Sequence, residues 1–318
     1  MKKLVVLDYF TVSSGNFNWN ILNDFVDKIE LYERTESEEI LERIKDANYV
    51  LTCKTKITKD VIEKCENLEY IGSMATGYNH IDYEFCKQKN IVVTNSPDYS
   101  TNAVSELVFA FLFEIFRKVG EHNKMVQRGN WINSKDFCFY DTGVCEIANK
   151  TIGIFGYGNI GKKVAKIAEA FDMKVLVCTR THYKDTENIK FVSKSELLKN
   201  SDIISLHCPL TDDTKEIINK NTISEMKDGV VIVNSSRGQL INEVDLRDAL
   251  ISGKVGYALL DVVSVEPMVD KNILLGLKNC IITPHYGWCP YETRMRLIDI
   301  FIENLKSFIN GNPINIVD

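Results

Sequence analysis

The run TIGIFGYGNIGKKVAKIAEAF, residues 151–171, constrains the fold more than any other stretch of the chain. An apolar run of strand character leads directly into three glycines, Gly156, Gly158 and Gly161, and from there into a helical pattern. The spacing G-x-G-x-x-G is weak on its own, but between a strand and a helix it is the fingerprint of a dinucleotide phosphate loop. Gly156 permits the tight turn, Gly158 lets a pyrophosphate approach the backbone, and Gly161 lets helix pack on strand. The amides of Asn159 and Ile160 then face the phosphates at the helix N-terminus. A strand and helix joined in this way need a parallel sheet around them.

The rest of the chain supplies two such sheets. From residue 1 to about 95, the runs LVVLDY, IELY, YVLTC, LEYIGSMA and IVVTN alternate with segments of helical character at 18–28, 37–46, 59–65 and 82–89. A single long helix is expected over about 101–127. After RGNWINSKDFCFYDTG the alternation starts afresh with TIGIFG and continues through KVLVCT, DIISLH, VVIVNS, YALLDVV and CIITPH. Strands alternating with helices imply α/β architecture in both halves, with a domain boundary near residue 100. At 318 residues, 45% of them hydrophobic, the chain is long enough for two cores.

The remaining composition mainly excludes. A net charge of −6 argues against nucleic acid or an anionic membrane surface as partner, so an anionic substrate must meet a local cationic pocket. The apolar run at the amino terminus stops at Asp8, too short for the core of a signal peptide. The region from Val104 to Phe116, interrupted by Ser105, Glu106 and Glu114, reads as a buried helix and not a membrane span. Nine scattered cysteines without a C-x-x-C pair read as free thiols of a cytoplasmic protein. His207 and Cys208 are adjacent but lack further ligands at suitable spacing, so no metal site is expected.

In a doubly wound sheet, ligands lie outside the carboxyl ends of the strands, and three residues there form a coherent set. Arg237 follows VVIVNSS, Glu266 follows ALLDVVSV, and His285 follows CIITP. Taken singly they read as a surface ion pair, a loop carboxylate beside Pro267 and a turn residue. Together they supply what reduction of a 2-oxo acid needs besides the hydride. Arg237 offers a planar fork to a carboxylate, His285 is an acid and base suited to neutral pH, and Glu266 can hold the imidazolium. His80, His122 and His182 lack this setting, and His207, in HCPLT, reads as a turn closing over a cofactor.

With these residues in place the chain resembles the D-isomer-specific 2-hydroxyacid dehydrogenases, within them the glycerate dehydrogenase or hydroxypyruvate (glyoxylate) reductase type. Seven motifs carry the resemblance in order: ATGYNHID, VTNSPDYSTNAVSELVFA, GIFGYGNIGKKVA, DIISLHCPLTDDT, VNSSRGQLINE, LDVVSVEP and TPHYGW. It implies a Rossmann cofactor domain, residues 101–288, inserted in a flavodoxin-like substrate domain made of residues 1–100 and 289–318. A closing cleft and a homodimer built on the cofactor domains are also implied. Arg237, Glu266 and His285 fall on the substrate arginine, the histidine-orienting glutamate and the acid/base. Thr76 and Gly77 fall where backbone amides hold the substrate carboxylate, and Lys54 lies in the substrate-domain loop TCKTK. Asp261 matches the aspartate near the nicotinamide amide. His207, Cys208, Pro209, Thr214 and Ser235, together with His285 and Gly287, match cofactor-lining positions. Trp288 resembles the tryptophan of hydroxypyruvate reductases.

The resemblance implies reduction of hydroxypyruvate and glyoxylate to D-glycerate and glycolate. A D-lactate-type or other D-2-hydroxyacid dehydrogenase is the alternative, and a nonenzymatic NAD(P)-sensing regulator is the rival from another class. A phosphoglycerate dehydrogenase would be expected to carry extra cationic groups. On the cofactor, MKVLVCTRT is informative: the acid that would hold the adenosine ribose is expected 18 residues after Gly161, where Thr179 stands with Arg180 beside it. Asp172 precedes the strand and Asp185 comes six residues later. Without a carboxylate to repel a 2′-phosphate and with a cation gained, NADP(H) is expected in preference to NAD(H), with Thr181, His182 and Lys184 assisting.

Overall fold

In the computed structural model the described residues are 1–13, 17–140, 143–181 and 183–317. They form two compact units, Met1–Ser100 with Trp288–Asp318, and Thr101–Gly287. Each is built on one parallel sheet.

The first unit carries β1 (Lys3–Val6), β2 (Lys28–Leu31), β3 (Tyr49–Thr52), β4 (Tyr70–Ser73) and β5 (Val92–Thr94), in the order β2-β1-β3-β4-β5. β3 and β4 are buried along their whole length, as expected of strands covered on both faces. One face packs on Ile40, Ile44, Ile62 and Phe85 from three short helices. The other face packs on Trp19, Leu22 and the helix Tyr291–Ile309, whose Leu297, Ile298, Phe301 and Leu305 are buried. Phe301 stacks on Trp19, and the Asn304 side chain donates to the Asn95 carbonyl at 2.8 Å. The segment at 18–28 is a 3-10 helix, Trp19–Asp24, then three residues outside any element, and ends on Lys28, the first residue of β2.

The second unit carries β6 (Thr151–Phe155), β7 (Lys174–Cys178), β8 (Ile189–Phe191), β9 (Ile203–Leu206), β10 (Val230–Asn234), β11 (Val255–Leu260) and β12 (Cys280–Ile282). Their order, β12-β11-β10-β9-β6-β7-β8, reverses direction between β6 and β9, which is the Rossmann arrangement. One face is covered by the helices Thr101–Arg117 and Asn159–Ala170, the other by Lys194–Asn200, Lys220–Glu225 and Glu243–Ser252. β8 is a three-residue edge strand beyond the six apolar runs read from the sequence. Among the described residues no helix is long and apolar enough to cross a membrane.

The helix expected over 101–127 is two helices. Thr101–Arg117 ends at Lys118, whose backbone is left-handed (φ 47°), and Val119–Gln127 then begins a new direction. Nine residues of the first helix are buried and none of the second is. The apolar stripe that would keep one axis on the sheet stops, and Gly120 weakens continuation further.

Candidate active site

The phosphate loop follows from local chemistry. Gly156 has φ +91°, a conformation costly for other residues, and a Cβ there would lie 2.6 Å from the His207 carbonyl oxygen. A Cβ on Gly161 would meet the Gly156 carbonyl oxygen at 2.2 Å, so both the turn and the helix contact require glycine. Around Gly158, by contrast, a Cβ would find no atom within 4 Å. The helix Asn159–Ala170 starts immediately after it, with Gly158 as a cap that has no side chain, and Ile160 is half-buried in its first turn. A helix N-terminus with room in front of it suits a phosphate group.

The turns after β9 and β10 add polar atoms that have no protein partner. His207 Nδ1 and Ser235 Oγ are both buried and unpaired, which is uncommon inside a folded protein. The Nε2 of His207 meets the Ser205 hydroxyl at 2.7 Å, and burial pushes the ring down to about 4, so it is neutral near pH 7. A neutral ring there has no cationic role. The Thr214 hydroxyl donates to the Pro209 carbonyl and receives the Thr211 amide, which folds the turn carrying Cys208 and Pro209. Burial raises the Cys208 thiol to about 11, so it is no thiolate. These unpaired atoms and the open cradle at Gly158 fit a nicotinamide dinucleotide. Thr179 follows β7 directly, and Arg180, Thr181 and Lys184 are exposed; His182 lies outside the described residues. Asp185 is engaged elsewhere, accepting the Phe191 amide of β8.

The catalytic candidates lie at the ends of β10, β11 and β12. His285 Nδ1 meets Glu266 Oε2 at 2.7 Å, and Glu266 Oε1 receives the Val263 amide, so the glutamate orients the ring while held by its own loop. His285 has φ +51°. That unfavourable backbone is secured by Asp261, which is 2% exposed. Its carbonyl accepts the His285 amide, and its carboxylate accepts the Thr283 hydroxyl and the amides of Tyr286 and Gly287. Asp261, matched by resemblance to a nicotinamide contact, thus has a loop-holding role that the sequence reading missed.

Arg237 opens the short 3-10 turn Gly238–Leu240 after β10. Its guanidinium donates to the Ser236 carbonyl at 2.7 Å, and the Asn234 side chain donates to the Arg237 carbonyl at 2.9 Å. This turn packs tightly on the Glu266 loop: a Cβ on Gly238 would overlap Val263, and the Gln239 side chain donates to the Ser264 carbonyl. His285 and Glu266 therefore meet directly, and Arg237 joins them through packed backbone.

The remaining candidates belong to the first unit. Lys54 is exposed in the loop after β3. Thr76 donates its hydroxyl to the Ser96 carbonyl, and its own carbonyl receives Asn95; Gly77 is held by the Ser73 hydroxyl. Trp288 packs in the cluster of the helix Tyr291–Ile309, edge-on to Tyr99. Two further residues here escaped the sequence reading. Asp8 receives the loop that carries Lys54, and His80 lies in a turn with its Nε2 buried and unpaired. Burial pushes that ring down to about 4 despite the nearby Asp8 carboxylate. Among the described residues no group of three or more His, Cys, Asp or Glu is gathered to hold a metal ion.

A family model described as the NAD-binding domain of D-isomer-specific 2-hydroxyacid dehydrogenases matches residues 109–287. The chain is similar over 99% of its length to a hydroxypyruvate reductase of Blautia hydrogenotrophica, at 47% identity and 99% coverage of that protein. It is also similar to a glycerate dehydrogenase of Methylorubrum extorquens, 36% identical over 100% of this chain and 99% of the other. Among solved structures it resembles an acyclic imino acid reductase in complex with NADPH and D-arginine. There the TM-score is 0.87 at 34% identity, covering 99% of this chain and 100% of that one.

Proposed function

Because the chain belongs to the D-isomer-specific 2-hydroxyacid dehydrogenases, we propose that it reduces hydroxypyruvate and glyoxylate to D-glycerate and glycolate. The observation that carries the chemistry is the 2.7 Å contact between His285 and Glu266 on a loop clasped by Asp261. A bound nicotinamide cofactor supplies the hydride. With Nδ1 turned to Glu266, His285 holds the transferable proton at Nε2 and delivers it to the carbonyl oxygen as that oxygen gains charge. Arg237 grips the substrate carboxylate and polarises the adjacent carbonyl. Lys54 and the backbone around Thr76 and Gly77 are assigned to the same carboxylate, and Trp288 to the pocket wall. The names of the two relatives support the choice of substrate.

The test is loss of NADH or NADPH absorbance on adding hydroxypyruvate, glyoxylate, pyruvate or phosphohydroxypyruvate. Turnover is expected to be fastest with the first two. Fastest turnover of pyruvate would move the assignment to a D-lactate-type enzyme, and cofactor binding without oxidation across the panel would favour a sensor.

NADPH is the preferred donor in this reading, because Thr179 stands where β7 ends and Arg180 is exposed beside it. Arg180→Ala should lower kcat/KM for NADPH roughly tenfold, the loss of one charge-assisted hydrogen bond, and leave NADH nearly unchanged. An NADH preference untouched by the substitution would overturn it. A homodimer through the second unit is supported by Val119 (68% exposed), Ile132 (87%), Phe137 (90%) and Tyr140 (74%), four exposed apolar or aromatic side chains within residues 119–140 that a partner could cover. A monomer mass in sedimentation would refute it. The nine cysteines, all free thiols, suit a cytoplasmic setting.

A further inference from the structure

The five-stranded sheet changes direction between β1 and β3, and ligands of open parallel sheets gather at such a switch point, beyond the strand ends. Asp8 lies just past β1, and the loop carrying Lys54 lies just past β3. The Asp8 carboxylate is 5% exposed. One oxygen accepts the Cys53 amide at 2.7 Å; the other accepts the amides of Lys54 at 2.6 Å and Thr55 at 2.8 Å and the Thr55 hydroxyl at 3.0 Å. The Thr52 hydroxyl lies 3.3 Å away. Three successive amides directed at one carboxylate form an anion nest whose anion is built into the chain. Around it Cys53 and Thr55 are buried while Lys54 is exposed, so of the three gathered residues Lys54 is the one turned outward.

The loop is also tied to residues 80–82, a few positions beyond Thr76 and Gly77. The Ile57 amide donates to the His80 carbonyl, and the Asp82 amide donates to the Ile57 carbonyl. Ile57 and Ile81 form a parallel bridge. Asp8 thus anchors the end of the loop that bears Lys54, while the 80–82 turn anchors the other end.

We infer that Asp8 is a positioning residue for the substrate carboxylate: by gathering the amides of 53–55 it presents the Lys54 ammonium in one place. The inference rests on the assignment of Lys54 to that carboxylate, and the test separates the two. Asp8→Asn keeps the size of the side chain but sets an NH2 against amide donors. It is expected to raise KM for hydroxypyruvate roughly tenfold, with kcat within about threefold and NADPH affinity unchanged. Lys54→Ala should raise KM to a similar extent. The double variant should be no worse than the worse single one, because both remove the same interaction.

A loop that merely stabilised the fold would instead give multiplied effects in the double variant and would disturb kcat and cofactor affinity as well. If Lys54→Ala raises KM while Asp8→Asn leaves it alone, or if the two effects multiply, the positioning role is overturned. If Lys54→Ala leaves KM unchanged, the assignment of Lys54 fails first and the inference falls with it. Should Asp8→Asn not fold, Thr55→Val removes one hydroxyl donor and keeps the three amides. It should raise KM about threefold in the Lys54 background and not at all in Lys54→Ala; an equal rise in both backgrounds would overturn the inference.

Discussion

Each unit ends a strand in a buried aspartate that gathers a loop, yet the two loops are held differently. Asp8 in the first unit collects three consecutive amides of a loop in which none of residues 53–55 has positive φ. Asp261 in the second unit collects amides and a hydroxyl from residues 283–287, around a His285 whose φ is +51°. The His285 ring is then fixed a second time by Glu266, whereas what Asp8 holds of Lys54 is the backbone amide. As the proposed proton donor, His285 must meet its acceptor within hydrogen-bond reach, so over-determination serves that role. In the proposed reaction Lys54 acts on substrate binding and not on the proton, so loss of its placement is felt in affinity. Damage to the second loop should therefore fall on kcat, and damage to the first on KM.

The largest expected effect tests the first half of that contrast. His285→Ala should lower kcat by ~10²–10⁴-fold, the usual worth of a positioned general acid, with NADPH affinity retained in a fluorescence titration. Near-normal kcat would remove His285 from the mechanism. Glu266→Gln comes next: it keeps a hydrogen bond to Nδ1 but withdraws the charge. The loss of a charged hydrogen bond, roughly 1.5–3 kcal/mol, corresponds to about 10- to 150-fold in kcat/KM. If the fall appeared wholly in KM, the two loops would not differ as argued.

Gly287→Ala attacks the clasp itself. The new Cβ would lie 2.9 Å from Leu107 Cδ2 and 3.0 Å from Asp261 Oδ2, the oxygen that receives the Gly287 amide. Overpacking of this kind costs about 1–3 kcal/mol, or roughly 2–4 °C in Tm per kcal/mol for a domain of this size. The expected signature is a lowered Tm together with a lowered kcat. A lowered Tm with kcat intact would show that His285 keeps its place without Asp261.

The same contrast explains what could be read from the chain. The strands of the second sheet were plain as apolar runs, except β8, whose three residues are too few for a pattern to register. Arg237, Glu266 and His285 stood out because each follows a strand end and their chemistries complement one another. Asp8 and His80 did not: a single acid after a strand and a histidine in a turn have many uses, and only the fold brings Asp8 against residues 53–55. The helix Tyr291–Ile309 is amphipathic, but periodicity cannot say which sheet it covers, and its return to the first unit was implied by resemblance alone. The break at Lys118 hid because both flanking segments are helical.

The smallest expected effect compares the units through one half-buried histidine each, His80 and His207, both pushed down to about 4 by desolvation of the ring. In the unfolded chain such rings take up protons below about pH 6.5, whereas in the folded protein they stay neutral until about pH 4. The unfolded state therefore binds more protons in that window, and stability falls as pH is lowered through it. Each ring contributes at most about 1.4 kcal/mol per pH unit. Denaturant unfolding followed from pH 7 to 4.5 should show a shallower slope in His80→Gln and in His207→Gln than in the parent. If the units unfold in separate transitions, each variant should flatten only the transition of its own unit. Equal flattening of one shared transition would mean that the loops differ in chemistry but not in the cooperative unit that protects them.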